Sequence, residues 1–132
     1  MSTLKNINLK TPNIILIVID ALRAGSIGCY SDKKITTLNI DKIASEGLLF
    51  EDAYCTWNTT DPSLTTILTG KYPASHGIIN HGDKITKKEI NTLNITGTKN
   101  LAEILKGHGY KSIAIDWMGR WFKRGFDYYG HK

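Results

Sequence analysis

The chain is 132 residues long, 41% hydrophobic and 22% charged, which suffices for one domain with a real hydrophobic core. Its net charge of +5 comes from scattered lysines, and the denser groups, Lys87 with Lys88 and Lys123 with Arg124, carry no RNA-binding signature; this excludes an obvious nucleic-acid partner and leaves a basic surface able to attract an anionic substrate. No apolar run reaches bilayer length and the N-terminus MSTLKNINLK lacks the apolar stretch of a secretory signal, so a soluble, cytoplasmic chain with no membrane partner is expected.

In chain order, "PNIILIVID" at 12–20 is a continuous β-branched run closed by an aspartate, the pattern of a strand buried on both faces with Asp20 at its C-terminal end. After a glycine-containing connection, "TTLNIDKIASEG" predicts a helix with Asn39 as N-cap, Ile40, Ile43 and Ala44 on one face and Gly47 as its stop. "LLFEDAYC" at 48–55 has short strand character. Residues 78–96 are weakly patterned and polar, and read as a surface excursion. "TKNLAEILKGHGY" predicts a helix capped by Thr98, with Leu101, Ile104 and Leu105 as its apolar stripe, and "YKSIAIDW" a third strand. Cys29 and Cys55 have no metal-ligand spacing and read as reduced thiols.

Strands alternating with helices argue for an α/β sandwich with a largely parallel sheet, because parallel neighbours need crossover connections. Ligands of such sheets bind beyond the carboxyl ends of the strands, where Asp20 and the loop carrying Thr60 are expected to meet.

That loop opens "TWNTTDPSLTTILTGKYPASHG" at 56–77. Asp61 suits an N-cap, Pro62 the first helical position and Gly70 the C′ position, which predicts a helix over 62–69. Thr60 then stands just ahead of a helix N-terminus, where unpaired N–H groups and the macrodipole attract sulfate or phosphate. The plainer account is that Thr59, Thr60 and Asp61 only cap the helix.

Together these segments resemble the N-terminal part of the sulfatase family, within the wider alkaline phosphatase superfamily. "PNIILIVIDALRAGSIGCY" resembles the opening strand with its metal-binding aspartate, "DPSLTTILTGKYPASHG" the nucleophile helix, and "LAEILKGHGYKSIAIDWMGRWFKRGFDYYG" its continuation. The resemblance covers 12–130. It implies a three-layer α/β sandwich of the alkaline-phosphatase and sulfatase type. Residues 1–132 would form the truncated N-terminal portion of a single catalytic domain, in a metal-dependent hydrolase or transferase of sulfate or phosphate esters.

The departures sharpen the reading. Sulfatases carry Cys or Ser in a C/S-x-P-x-R motif that is converted to formylglycine; the matching positions here are Thr60, Pro62 and Leu64, so the convertible residue and the arginine are both replaced. Superfamily relatives with an unmodified threonine act on phosphoesters through a phospho-threonine, which makes Thr60 the expected nucleophile and a phosphoester or phosphodiester the expected substrate. Strict sulfuric ester hydrolysis is the alternative, and a non-catalytic binding module or remnant a second. Where many sulfatases have paired aspartates, Asp20 is followed by Ala21, leaving Asp20 and Thr60 as the metal-ligand candidates for Zn, Mn, Mg or Ca. Arg23, just after Asp20, is the candidate for binding an oxygen of the anionic ester. The lysine and histidine of the family's second signature, similar to "GKWH", are replaced by Asp116 and Met118. His76 matches a position expected to be mainly structural and His81 lies in the polar excursion that follows; either could reach the site, though a lone histidine is more often a hydrogen-bonded or exposed residue than a ligand. Family members are several times longer and take their remaining metal ligands from further along, so this stretch is expected to bind metal poorly and to self-associate through an exposed edge.

Overall fold

The computed structural model describes residues 11–31, 35–116 and 118–130. The chain divides into two units, residues 1–51 and 52–132.

In the first unit, 3₁₀ turns at Ala24–Ser26 and Gly28–Tyr30 precede helix α1, Leu38–Glu46. Thr37, not the expected Asn39, is the N-cap residue, and Gly47 ends the helix as expected. Asp41, in the first turn, ties the helix to the turn before it. Its carboxylate accepts from the Thr37 hydroxyl at 2.8 Å and the Cys29 amide at 2.8 Å. These bonds, the Thr37 hydroxyl foremost, hold Asp41 below the ordinary carboxylate range against the opposing effect of desolvation.

Residues 12–20, expected as a buried strand, form none, and neither do residues 48–55. Residues 14–19 are between 50% and 84% exposed. A run of this composition becomes a strand only between neighbours that take up its N–H and C=O groups and cover both faces. Among the described residues the one sheet lies in the other unit.

In the second unit, α2 spans Thr60–Thr69 and starts earlier than expected, with Thr59 as N-cap in extended conformation (φ −132°, ψ 157°) and Asp61 and Pro62 inside the first turn. Gly70 ends it at φ 65°, a left-handed position that suits a residue without Cβ. α3, Pro73–His76, has proline at its start and Gly77 at φ 82° after its end. A Cβ on Gly77 would stand 2.6 Å from Thr92 Cγ2.

The stretch expected to be irregular contains α4, Lys87–Ile95. It opens with a capping box: the Thr86 hydroxyl accepts from the Glu89 amide at 3.2 Å, and the Glu89 carboxylate accepts from the Thr86 amide at 2.7 Å. α5, Leu101–Gly107, uses the same device with Asn100 and Glu103. Thr98, the expected cap, is instead buried and accepts from Lys71 Nζ at 3.0 Å.

β1, Ile113–Ile115, falls within the expected third strand and pairs in parallel with β2, Tyr128–Gly130, Ile113 opposite Tyr128 and Ile115 opposite Gly130. A parallel pair needs a crossover, here residues 116–127 with a 3₁₀ turn at Arg120–Lys123. That turn drives Trp121 and Phe122 into the core beside Ile78, Leu93 and Met118, with Leu64 and Leu68 of α2 packed against it. Full burial of a side chain like Phe122 contributes about 2 to 3 kcal/mol, and this packing fixes α2 against the crossover. The expected α/β character is present, but the described residues hold a two-stranded sheet rather than the larger sheet of a three-layer sandwich.

Candidate active site

The sequence candidates fall in two places. Asp20 and Arg23 belong to the first unit, where Asp20 is followed by Ala21 at φ 57°, a left-handed conformation that costs a non-glycine residue roughly 1 kcal/mol. Arg23 is exposed, and its carbonyl accepts from the Ser26 amide at 2.9 Å to start the first 3₁₀ turn. Thr60 belongs to the second unit, half-buried at the first position of α2. The hydroxyl of the neighbouring Thr59 is buried and makes no hydrogen bond, although its residue holds the N-cap position.

Asp61 does not cap the helix, as the sequence led us to expect. Its side chain is wholly buried, and its carboxylate collects three donors from two distant turns. His81 Nδ1 lies 2.6 Å and the Gly82 amide 2.8 Å from Oδ2, while Arg120 Nη2 donates to Oδ1 at 3.0 Å. A buried carboxylate is costly unless paired and hydrogen-bonded, and here it is both. The guanidinium also donates to the Gly82 carbonyl at 3.3 Å and lies 5.1 Å from the centre of the Trp121 ring. One turn along, the Thr65 hydroxyl donates to the Asp61 carbonyl at 2.7 Å and accepts from Trp121 Nε1 at 2.9 Å. Residues 120–121 and 81–82 therefore both bind the first turn of α2. Arg120 adopts φ 50°, another left-handed non-glycine residue.

His76 is fully buried and structural, in keeping with expectation. Its Nδ1 accepts from the Ile78 amide at 3.1 Å and Nε2 lies 3.2 Å from the Thr66 hydroxyl. Burial lowers its pKa, outweighing a hydrogen bond to the Pro62 backbone that raises it. Asp116 caps the turn after β1, accepting from the Met118 amide at 2.6 Å. Burial, with Asp116 close by, pushes the Tyr129 phenol above its ordinary pKa.

Among the described residues no group of three or more His, Cys, Asp or Glu side chains comes together to hold a metal ion. Asp20 and Thr60 alone fall short of the three or more ligands that stable sites usually need. The described residues therefore do not complete a divalent-metal site. Among the described residues no helix is long and apolar enough to cross a membrane, and both cysteines are free thiols.

Sequence reasoning left His76 and His81 alike as histidines able to reach the site, and missed the Asp61–Arg120 pair. Pro62, read as the first helical position, pointed to Asp61 as the cap, and only the structure places it third, with Asp61 inside the turn.

The family model described as Sulfatase matches residues 12–132. An N-acetylgalactosamine-6-O-sulfatase of Bacteroides thetaiotaomicron is 35% identical over 129 residues, which is 94% of this chain and 24% of that protein. Arylsulfatase G of Mus musculus is 34% identical over 128 residues, 89% of this chain and 23% of its own length. Arylsulfatase A of Homo sapiens is 41% identical over 69 residues, 52% of this chain and 14% of its own length. The chain thus spans about a quarter of the first two relatives. No solved structure matches it.

Proposed function

This chain belongs to the sulfatase family, and from that premise we propose that it supplies the nucleophile-bearing part of a hydrolase of sulfate esters. The supporting observation is that the relatives it matches over most of its length are named as sulfatases. Thr60 is the proposed nucleophile. The Thr60 hydroxyl would give up its proton as its oxygen bonds to the sulfur and the ester S–O bond breaks, and the departing alkoxide would take up a proton in turn, so that protons and charge balance. The macrodipole at the N-terminus of α2 favours the negative charge that would develop there. Arg23 is proposed to bind a peripheral oxygen of the ester. The family resemblance implies a divalent metal; Asp20 and Thr60 are this chain's proposed contribution to holding it, and the metal would supply charge neutralisation at the ester oxygens.

A second reading, hydrolysis or transfer of a phosphoester, is favoured by one observation: a threonine stands at the position that the resemblance matches to the family's nucleophile. A threonine oxygen carries no second hydroxyl on the same carbon to expel the bound group, so the intermediate must be cleared by attack of water or another acceptor on the sulfur or phosphorus.

The test uses the natural gene product with an aryl sulfate and an aryl phosphodiester in parallel. Sulfate release that disappears in Thr60→Ala supports the first reading, and release from the phosphodiester alone replaces it with the second. Unchanged turnover by Thr60→Ala would remove Thr60 from the chemistry under both.

A further inference from the structure

We propose that Arg120 and His81 are positioning residues that lock the first turn of α2 through the buried Asp61 carboxylate, and so hold the backbone of Thr60 in place. The inference rests on the reading of Thr60 as nucleophile, and its geometry lies wholly within the second unit.

Asp61 directly follows Thr60, and its side chain has no exposure, so it cannot touch a substrate in solution. What it can do is transmit position. Both carboxylate oxygens are engaged, one by Arg120 at 3.0 Å and the other by His81 and the Gly82 amide at 2.6 and 2.8 Å. The donors come from residues 20, 21 and 59 positions away in the chain, so the first turn of α2 is held from two other segments of the chain. Arg120 joins the two by donating to the Gly82 carbonyl as well.

The adjoining Trp121 adds a second grip, through Thr65 to the Asp61 carbonyl, at 2.9 and 2.7 Å. A helix cap alone needs none of this, since the Asp61 carboxylate accepts no amide of its own helix among these bonds. Arg120 keeps its left-handed φ of 50° while making both contacts. Strain retained at a residue whose side chain reaches the nucleophile turn fits a positional constraint better than a packing accident. The side chains of Arg120 and His81 remain 35% and 45% exposed, so neither is needed to fill the core.

The experiment measures amide hydrogen exchange and ester turnover on the natural gene product, wild type against Arg120→Ala, Arg120→Lys and Asp61→Asn. The Ser63 amide, which bonds to the Thr59 carbonyl at 3.3 Å, reports on the first turn. Arg120→Ala is expected to speed exchange at Ser63 about tenfold while leaving α4 and α5 protected. It should also lower kcat by roughly tenfold to a hundredfold, as small misplacement of a reacting group does, with KM within about threefold of wild type. Arg120→Lys, which keeps the charge but loses the planar fork, should recover part of both effects. Wild-type exchange at Ser63, or a loosened turn with unchanged kcat, would overturn the proposal. If Arg120→Ala unfolds, Arg120→Lys and Asp61→Asn decide: exchange that rises equally in all helices makes the cluster a global stabiliser and overturns it. A wild type that turns over neither ester sinks the proposed function, while exchange at Ser63 alone then decides the lock.

Discussion

Glu89→Gln is the substitution whose cost the structure sets most directly. Glu89 is only 7% exposed. Its Oε1 accepts from the Ile79 and Asn80 amides at 3.0 and 2.9 Å, and Oε2 from the Thr86 amide and hydroxyl at 2.7 and 2.8 Å. Burial raises its pKa, but these bonds outweigh burial and bring it from 4.5 to about 2. A shift of that size corresponds to about 3 kcal/mol of stability at neutral pH. Glutamine keeps the shape and one acceptor, yet sets an NH₂ against the Thr86 amide and removes the charge. The expected loss is about 2 to 3 kcal/mol.

Because the folded pKa lies below the unfolded value, this stability is present above about 4.5 and is lost as pH falls through about 2. The gap between wild type and Glu89→Gln should therefore close over that window. All three tryptophans, at 57, 117 and 121, fall in residues 52–132, so urea unfolding followed by tryptophan fluorescence reads the second unit. Equal midpoints at neutral pH, or a gap that persists down to pH 2, would refute the reasoning.

Other substitutions follow from the same geometry. Gly77→Ala should cost about 2 kcal/mol by urea unfolding, because a Cβ would stand 2.6 Å from Thr92 Cγ2 at a φ of 82°; a neutral result would show that this turn relaxes freely. Asp61→Ala leaves the Arg120, His81 and Gly82 donors without their shared acceptor and should cost about 3 kcal/mol, with Asp61→Asn milder in the same assay. His76 has its pKa lowered below 6.5 by burial, so the unfolded chain binds the proton first and stability should fall as pH drops below about 6.5. His76→Gln should lack that part of the slope in a pH series of thermal unfolding, and an unchanged slope would count against a neutral buried ring.

Local signals carried the helices that the sequence foretold. Gly47 and Gly70 stop α1 and α2, and the apolar stripe of 101–105 gave α5. α4 was legible too, since Thr86 and Glu89 have the capping-box spacing, but the surrounding polar residues hid it. The run at 14–19 failed as a strand for a non-local reason. Its composition fits a buried strand, while strand formation depends on partners that the described residues of this chain do not provide. The site divides in the same way. Thr60 at the start of a helix follows from a short stretch of sequence, whereas the Asp61–Arg120 pair joins residues 59 apart and arises only once the crossover packs on α2. Both sheet strands are three residues long, and β2 has no periodic pattern long enough to announce it.

The most direct test of the account is to quench the natural gene product during turnover of an aryl sulfate or phosphodiester and map the peptides by mass spectrometry. A sulfate or phosphate group carried on Thr60 is the predicted result. Turnover with the group on another residue, or with none on Thr60 while Thr60→Ala keeps the wild-type rate, would contradict it.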